Sequence, residues 1–174
     1  YSFGFDFEWN GITLSAFFQG VGKQDWYPSN EASTLWGQYN RPYGQMPKWH
    51  IGNYWTEDNP DAYLPRYTGY YAPFYKGTNN ANTRYLMDVS YIRLKNVQVG
   101  YTLPEKWTKA IKMKKISVFF SGENLWTWSP MYRHTRDIDV TANIYGTDSV
   151  LDTTGDGYNY PTMRSYSFGI NLTF

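Results

Sequence analysis

The side chains of this chain that could do chemistry are few, and their spacing does not favour it. His50 and His134 are its two histidines. They stand alone, without a metal-ligand spacing, and read as loop surface residues. Cysteine is absent, which excludes disulfides, thiolate metal sites and cysteine nucleophiles and suits passage through an oxidising compartment. Asp152, Asp156 and Gly157 match a fragment of a calcium loop, but the full ligand series is missing, so a weak calcium site is the most they predict. No Gly-x-Ser-x-Gly elbow, phosphate loop or Gly-x-Gly-x-x-Gly turn occurs, so the expectation is no catalytic site, no cofactor and no enzyme.

What the chain does carry is rings. Aromatic residues make up 21% of the sequence and charged residues 18%, while the mean hydropathy is -0.63. A chain that is polar on average yet crowded with rings suits a membrane barrel, where rings form interfacial girdles and an outward apolar band. Trp26, Trp36, Trp49, Trp55, Tyr70 and Tyr71 fall in stretches without periodicity. Flat apolar faces with polar rims stack on sugars or grip peptides, which makes Trp49, Trp55, Tyr70 and Tyr71 the candidate substrate contacts. The competing expectation is that these rings pack a loop on itself or against a partner. The net charge of +1 gives no electrostatic ground for a nucleic-acid partner.

The elements that would position these residues are strands. Tyr1, Phe3, Phe5, Phe7 and Trp9 alternate with Ser2, Gly4, Asp6 and Glu8, the period of a β-strand. Asn10-Gly11 then supplies the positive φ values of a tight hairpin, and alternation resumes with Ile12, Leu14, Ala16 and Phe18. Phe17 breaks the polar side of that strand, either as a lumen-facing ring or where the strand leaves the membrane. A third strand covers about 86–103, and its apolar phase changes from Ile92 and Leu94 to Val97, Val99 and Tyr101. A β-bulge near Asn96 would produce this slip, as would a strand rising above the bilayer. Pro104 opens a helical turn or two in which Trp107 and Ile111 are spaced i,i+4 among the lysines of 106–115. A fourth strand (115–127) and a fifth (162–174) follow, the last alternating Tyr166, Phe168, Ile170, Leu172 and Phe174 with small polar residues. With 1–9 and 12–22 these make five strands. Residues 23–84 and 129–161 read as long loops.

No window approaches the roughly 18 apolar residues of a membrane helix, and no signal peptide precedes Tyr1, as expected if Tyr1 is not a true N-terminus. Strand segments of about 9 to 11 residues suffice to span a bilayer when tilted. If the short connections are periplasmic and the long ones extracellular, the strands alternate in direction and Phe174 ends in the periplasm. Five strands cannot close a barrel, because backbone donors and acceptors inside hydrocarbon all need partners. The chain is therefore expected to be a fragment whose first and last strands pair with strands outside this sequence. The fold class is all-β, five antiparallel strands of an outer-membrane barrel with long extracellular loops.

The run from Tyr85 to Pro104, YLMDVSYIRLKNVQVGYTLP, resembles the most characteristic stretch near the C-terminus of the SusC/RagA family of TonB-linked outer-membrane importers. Three further pieces match in order: Phe17 to Gly22, Ser121 to Leu125, and Tyr160 to Gly169 leading to a terminal Phe174. The resemblance implies a barrel of about 22 strands holding an N-terminal plug that is absent from this chain. It implies import of oligosaccharides or peptides across the outer membrane of a Gram-negative bacterium, driven by the TonB system through the upstream part. The implied partners are the remainder of the barrel, the plug, outer-membrane lipid and a SusD-like surface lipoprotein acting as a lid.

Within that picture Tyr166, Phe168, Ile170, Leu172 and Phe174 look like a C-terminal assembly signal, an extended strand with one greasy face and a terminal ring to be captured. An ordinary lipid-facing strand is compatible with the same residues. Arg93 and Lys95 are expected in a solvated stretch above the headgroups, the alternative being a lumenal position near substrate or plug. The lysines of 106–115 are expected to be headgroup-facing or solvated, with Trp107 an interfacial anchor. A secreted carbohydrate-binding β-sandwich and a passive porin are the competing readings; in a sandwich the strand rings would face a second sheet.

Overall fold

The computed structural model describes residues 1–28, 32–39, 43–68, 82–141 and 160–174. Tyr70, Tyr71, Asp152 and Asp156 lie outside them. In chain order the strands are β1 (Ser2–Trp9), β2 (Ile12–Val21), β3 (Asp25–Trp26), β4 (Met87–Asp88), β5 (Tyr91–Thr102), β6 (Lys115–Trp128) and β7 (Ser165–Thr173). The chain divides into two compact units, one comprising Tyr1–Gly22, Tyr91–Trp128 and Met163–Phe174, the other Lys23–Ser90 and Ser129–Thr162.

The first unit is a single antiparallel sheet in the order β1-β2-β5-β6-β7. Asn10 (φ 49°) and Gly11 (φ 84°) make the hairpin between β1 and β2. Both are left-handed, as a type I′ turn requires, and the turn's twist matches that of the strands it joins. The change of apolar phase on β5 is a bulge. Phe17 pairs with Asn96 and Phe18 with Leu94, so Lys95 is the extra residue, and on the other side the register steps from Trp126 to Glu123. Asn124 answers it on β6 with a left-handed φ of 53°. Asparagine tolerates that conformation better than most residues, and its Nδ2 donates to the Met163 carbonyl at 3.1 Å.

The register sorts the side chains onto two faces. One carries Phe3, Phe5 and Phe7 of β1, Leu14 and Phe18 of β2, Val97 and Val99 of β5, Val118 and Phe120 of β6 and Phe168 and Ile170 of β7. Cross-strand ring pairs tie this face together, Phe3 on Phe18 at 4.9 Å and Phe120 against Phe168 at 5.0 Å. Yet Phe168 is 81% exposed and Ile170 66%. These rings are not buried between two stacked sheets, which counts against the sandwich. The opposite face carries Ser2, Asp6, Glu8, Thr13, Ser15, Gln98, Ser117, Ser121, Ser167 and Asn171.

Two phenylalanines lie on the polar face, and each covers a cross-strand glycine. Phe17 lies over Gly4, where an added Cβ would come within 3.3 Å of its ring, and a Cβ at Gly169 would overlap the Phe119 ring. Phe17 is therefore a ring of the polar face. Arg93 is on this face as well, between Gln19 and Thr127 in the ladder, and only 6% exposed. Its Nε donates to Thr127 Oγ1 at 2.8 Å. The expectation of a solvated Arg93 is corrected: the bulge at Lys95 turns Arg93 to the polar side and the guanidinium is buried.

The second unit contains the described parts of the two long connections. They are packed, not structureless. Leu35, Trp36, Tyr39, Leu64, Val89, Met131, Ile138 and Val140 are fully or almost fully buried. Trp36 meets Tyr85 edge-on at 5.3 Å, and Tyr63 stacks on His134 at 4.3 Å. β3 and β4 form a two-stranded ladder. Ser129 caps the 3-10 turn Pro130–Arg133, its hydroxyl accepting from Met131 N. Asp139 accepts from Thr141 N (2.9 Å), Thr141 Oγ1 (2.7 Å) and Thr162 N (2.9 Å). Burial pushes its carboxyl up, but these donors outweigh burial and hold it at about 2.

Candidate functional site

The second unit holds a cavity of about 380 Å³ lined by Tyr54, Trp55, Thr56, Glu57, Arg66 and Tyr67, within the size range of small-ligand sites. Local backbone pairing brings these residues together. Gly52 takes a left-handed φ of 79°, and Asn59 Nδ2 donates to the Gly52 carbonyl at 3.0 Å. Thr56 and Asn59 close a four-residue turn by an isolated bridge. A second bridge joins Tyr54 to Leu64, with Trp55 N donating to Leu64 O at 2.9 Å and Leu64 N to Asn53 O at 2.8 Å. Arg66 is thereby carried back over Trp55, its guanidinium carbon 5.9 Å from the ring centroid, within cation–π range.

A buried relay supports the wall. Tyr67 packs edge-on against Tyr54 at 5.1 Å and stacks on Tyr39 at 4.3 Å. His50, wholly buried, has Nε2 2.7 Å from the Leu35 carbonyl and Nδ1 2.7 Å from the Tyr67 hydroxyl. A carbonyl only accepts, so Nε2 carries the proton and Nδ1 accepts from Tyr67. Burial holds the imidazole below its ordinary pKa despite the Leu35 carbonyl, which favours the protonated form. It also pushes the Tyr67 hydroxyl up to about 12, so Tyr67 stays a donor at neutral pH. The Tyr39 hydroxyl donates to the Pro65 carbonyl, fastening the segment just before Arg66. The expectation of a surface His50 is corrected, since both ring nitrogens are engaged inside the unit. His134 is half-buried against Tyr63, and burial lowers its pKa too.

An indole, an acid, a guanidinium and phenol groups around one hollow can grip a flat, partly polar ligand by stacking and hydrogen bonding. Among the described residues no cluster of three or more potential metal ligands occurs.

Of the four loop rings singled out from sequence, Trp55 lines this cavity. Trp49 sits apart, edge-on to His50 at 4.5 Å and near Tyr63 and His134. Its buried Nε1 has no acceptor among the described residues. Trp26 and Trp36 are core residues, 5% and 2% exposed. Arg66 and Tyr67 had no sequence signal of their own, because only the Tyr54–Leu64 bridge brings them beside the run from Tyr54 to Glu57. In the sheet, Tyr166, Phe168, Ile170 and Leu172 lie on one face of β7, and Phe174 follows its end, all exposed.

No family model matches the chain. It is 30% identical over 178 residues to TonB-dependent receptor P26 of Formosa agariphila, an alignment covering 99% of this chain and 17% of that protein. It is 29% identical over 125 residues to TonB-dependent receptor P3 of the same organism, covering 70% of this chain and 11% of that protein. The chain thus spans less than a fifth of the curated relatives it matches. Among solved structures, the RagAB peptide transporter superposes with a TM-score of 0.60 at 22% identity, covering 99% of this chain and 16% of the other. The RagAB peptide importer in the closed-closed state gives 0.56 at 22% identity, again over 99% of this chain and 16% of the other.

Proposed function

We infer from this chain, which is homologous to TonB-dependent receptors and has the fold of the C-terminal part of a TonB-dependent barrel, that it forms the closing strands of an outer-membrane nutrient importer of the SusC/RagA kind. The observation that carries the reading is the uncovered apolar face of the sheet. Tyr1, Trp126, Trp128 and Tyr166 mark the end of that face from which the long connections depart, and Trp9, Tyr101 and Phe174 the end with the short ones. Eight residues separate the rows on β1 (Tyr1 to Trp9). That is about 27 Å along a strand, or about 20 Å along the membrane normal at a tilt of about 40°, close to the apolar band of about 25 Å between aromatic girdles. In water such a face is a liability; against acyl chains it is the favourable surface.

The open edges of the sheet follow from the same physics, whereas plug, coupling, lid and cargo are what the resemblance to the SusC/RagA family implies. β1 and β7 each leave one edge of the sheet unpaired among the described residues, and in hydrocarbon those groups need strands from the remainder of a barrel of about 22. The short connections lie on the periplasmic side with Phe174, and the long ones face outside. A plug and TonB coupling belong to the upstream part. A SusD-like surface lipoprotein covers the outer opening, and the RagAB structures support that partnership. Oligosaccharides or peptides are the cargo, and Trp55, Arg66, Glu57 and Tyr67 are the contacts this chain offers them. Trp49 is a packing residue of the same unit. The protein acts as a transporter and not as an enzyme, without a cofactor.

The test uses the complete importer in its host. Deleting its gene, or that of the TonB protein, should abolish uptake of the oligosaccharide or peptide it binds, and Trp55→Ala should weaken that binding about tenfold, a loss of about 1.4 kcal/mol. Uptake that persists without the gene would overturn the transport reading. Unchanged affinity in both Trp55→Ala and Arg66→Ala would remove the site.

A further inference from the structure

The connection between β5 and β6 is built more tightly than a solvated turn needs. Pro104 precedes the short helix Glu105–Ala110, whose Thr108 is 1% exposed and donates through Oγ1 to the Glu105 carbonyl at 3.2 Å. Lys112 takes a left-handed φ of 58°, Met113 N donates to Thr108 O at 3.0 Å, and Lys114 N donates to Thr173 O at 2.9 Å. This ordered scaffold leaves Trp107 and Ile111 open, 60% and 59% exposed. It also presents Lys106, Lys109, Lys112 and Lys114 at the surface. Lys109 pairs with Glu105 at 2.6 Å, both well exposed. Lys106, Lys112 and Lys114 have no carboxylate partner among the described residues.

A hollow lies at the same end of the sheet, on its apolar face. Ile12, Val99, Tyr101, Val118, Phe120 and Phe168 line about 450 Å³ of almost wholly apolar space. The backbone links the two features directly, since Leu103 N donates to Ile116 O at 2.9 Å across the base of the connection. Apolar groove, exposed indole and unpaired ammonium groups follow one another in the order that a phospholipid presents tail, interface and headgroup.

We propose that this end of the sheet is a binding site for an anionic phospholipid of the periplasmic leaflet. One acyl chain fills the hollow, Trp107 and Ile111 sit at the interface, and the lysines hold the phosphate. The proposal rests on the membrane reading of the sheet. It adds that the importer selects lipid charge at one leaflet and uses it to hold the β5–β6 connection at headgroup depth.

The complete importer, freed of any other cysteines, is reconstituted in nanodiscs of phosphatidylethanolamine with or without phosphatidylglycerol. Nitroxide labels are placed at Trp107→Cys or Phe168→Cys. The expected result is a Phe168 label in hydrocarbon and a Trp107 label at headgroup depth. Native mass spectrometry should show phosphatidylglycerol retained by the unmodified protein. Retention should fall roughly fivefold per lysine in Lys→Gln variants at 106, 109, 112 and 114. It should also be lost in Val118→Trp, which fills the hollow and leaves the charges in place. A Phe168 label in lipid with a Trp107 label in water, or retention unchanged by both kinds of variant, overturns the lipid site alone. A Phe168 label in water overturns the membrane reading and the site with it.

Discussion

Ile170→Lys separates a lipid-facing strand from a water-facing one by sign as well as size. Ile170 lies four residues from Tyr166 and four from Phe174 on β7, its side chain 66% exposed beside Val118 of β6. At about 3.4 Å per residue it is about 14 Å along the strand from each ring, the middle of the apolar band. A lysine there costs about 2–4 kcal/mol if the face meets acyl chains, against about 0–1 kcal/mol for Tyr166→Lys near the interface. At about 3 kcal/mol the folded population shifts by roughly a hundredfold. Asn171→Lys, one residue on and on the polar face, should change little. If the face met water, replacing so exposed an isoleucine would cost within about 0.5 kcal/mol, and the three variants would be alike. The assay is a denaturant titration of the complete barrel in phospholipid vesicles, read by the gel mobility of folded and heat-unfolded protein. A flat series, or Ile170→Lys no worse than Asn171→Lys, refutes the argument.

Four further outcomes are expected. His50→Leu leaves the Leu35 carbonyl and the Tyr67 hydroxyl without their buried partner and should loosen the second unit by about 2–4 kcal/mol, measured as faster limited proteolysis between residues 23 and 90. His50 and His134 are held below the ordinary histidine value, so the unfolded unit binds more protons just below about pH 6.5. Protection should therefore be level above that pH and fall as pH drops from it towards the lowered folded-state values, with a shallower fall in His50→Leu. Asp139→Asn should cost about 2 kcal/mol near neutral pH, a contribution that in the native protein is lost as pH falls from 3.8 towards the folded value of about 2; exchange at the Thr141 and Thr162 amides reads it. Phe174→Ala should lower the amount of folded barrel in the membrane, and an unchanged heat-modifiability gel would dismiss its role as an assembly signal.

Period-two alternation, the Asn10-Gly11 turn and the phase change near Asn96 were legible because each is written within a few consecutive residues. A strand's two faces and a hairpin's positive φ values are local properties, and the five-stranded antiparallel sheet follows from them. The chain's own order does not say which strand faces a glycine. The polar-face positions of Phe17 and Phe119 make sense only when Gly4 and Gly169 are seen opposite them. The loop unit is the stronger case. Its rings recur without a period, because no single axis repeats in a core assembled from turns and isolated bridges, so Trp36 in that core, Trp49 beside His50 and Trp55 in the cavity look alike as residue types. Tertiary structure alone decided that His50 is buried, that Arg93 is enclosed on the polar face, and that Arg66 returns over Trp55. Burial and charge proximity depend on distances between segments far apart in the chain, and local pattern carries no measure of those distances.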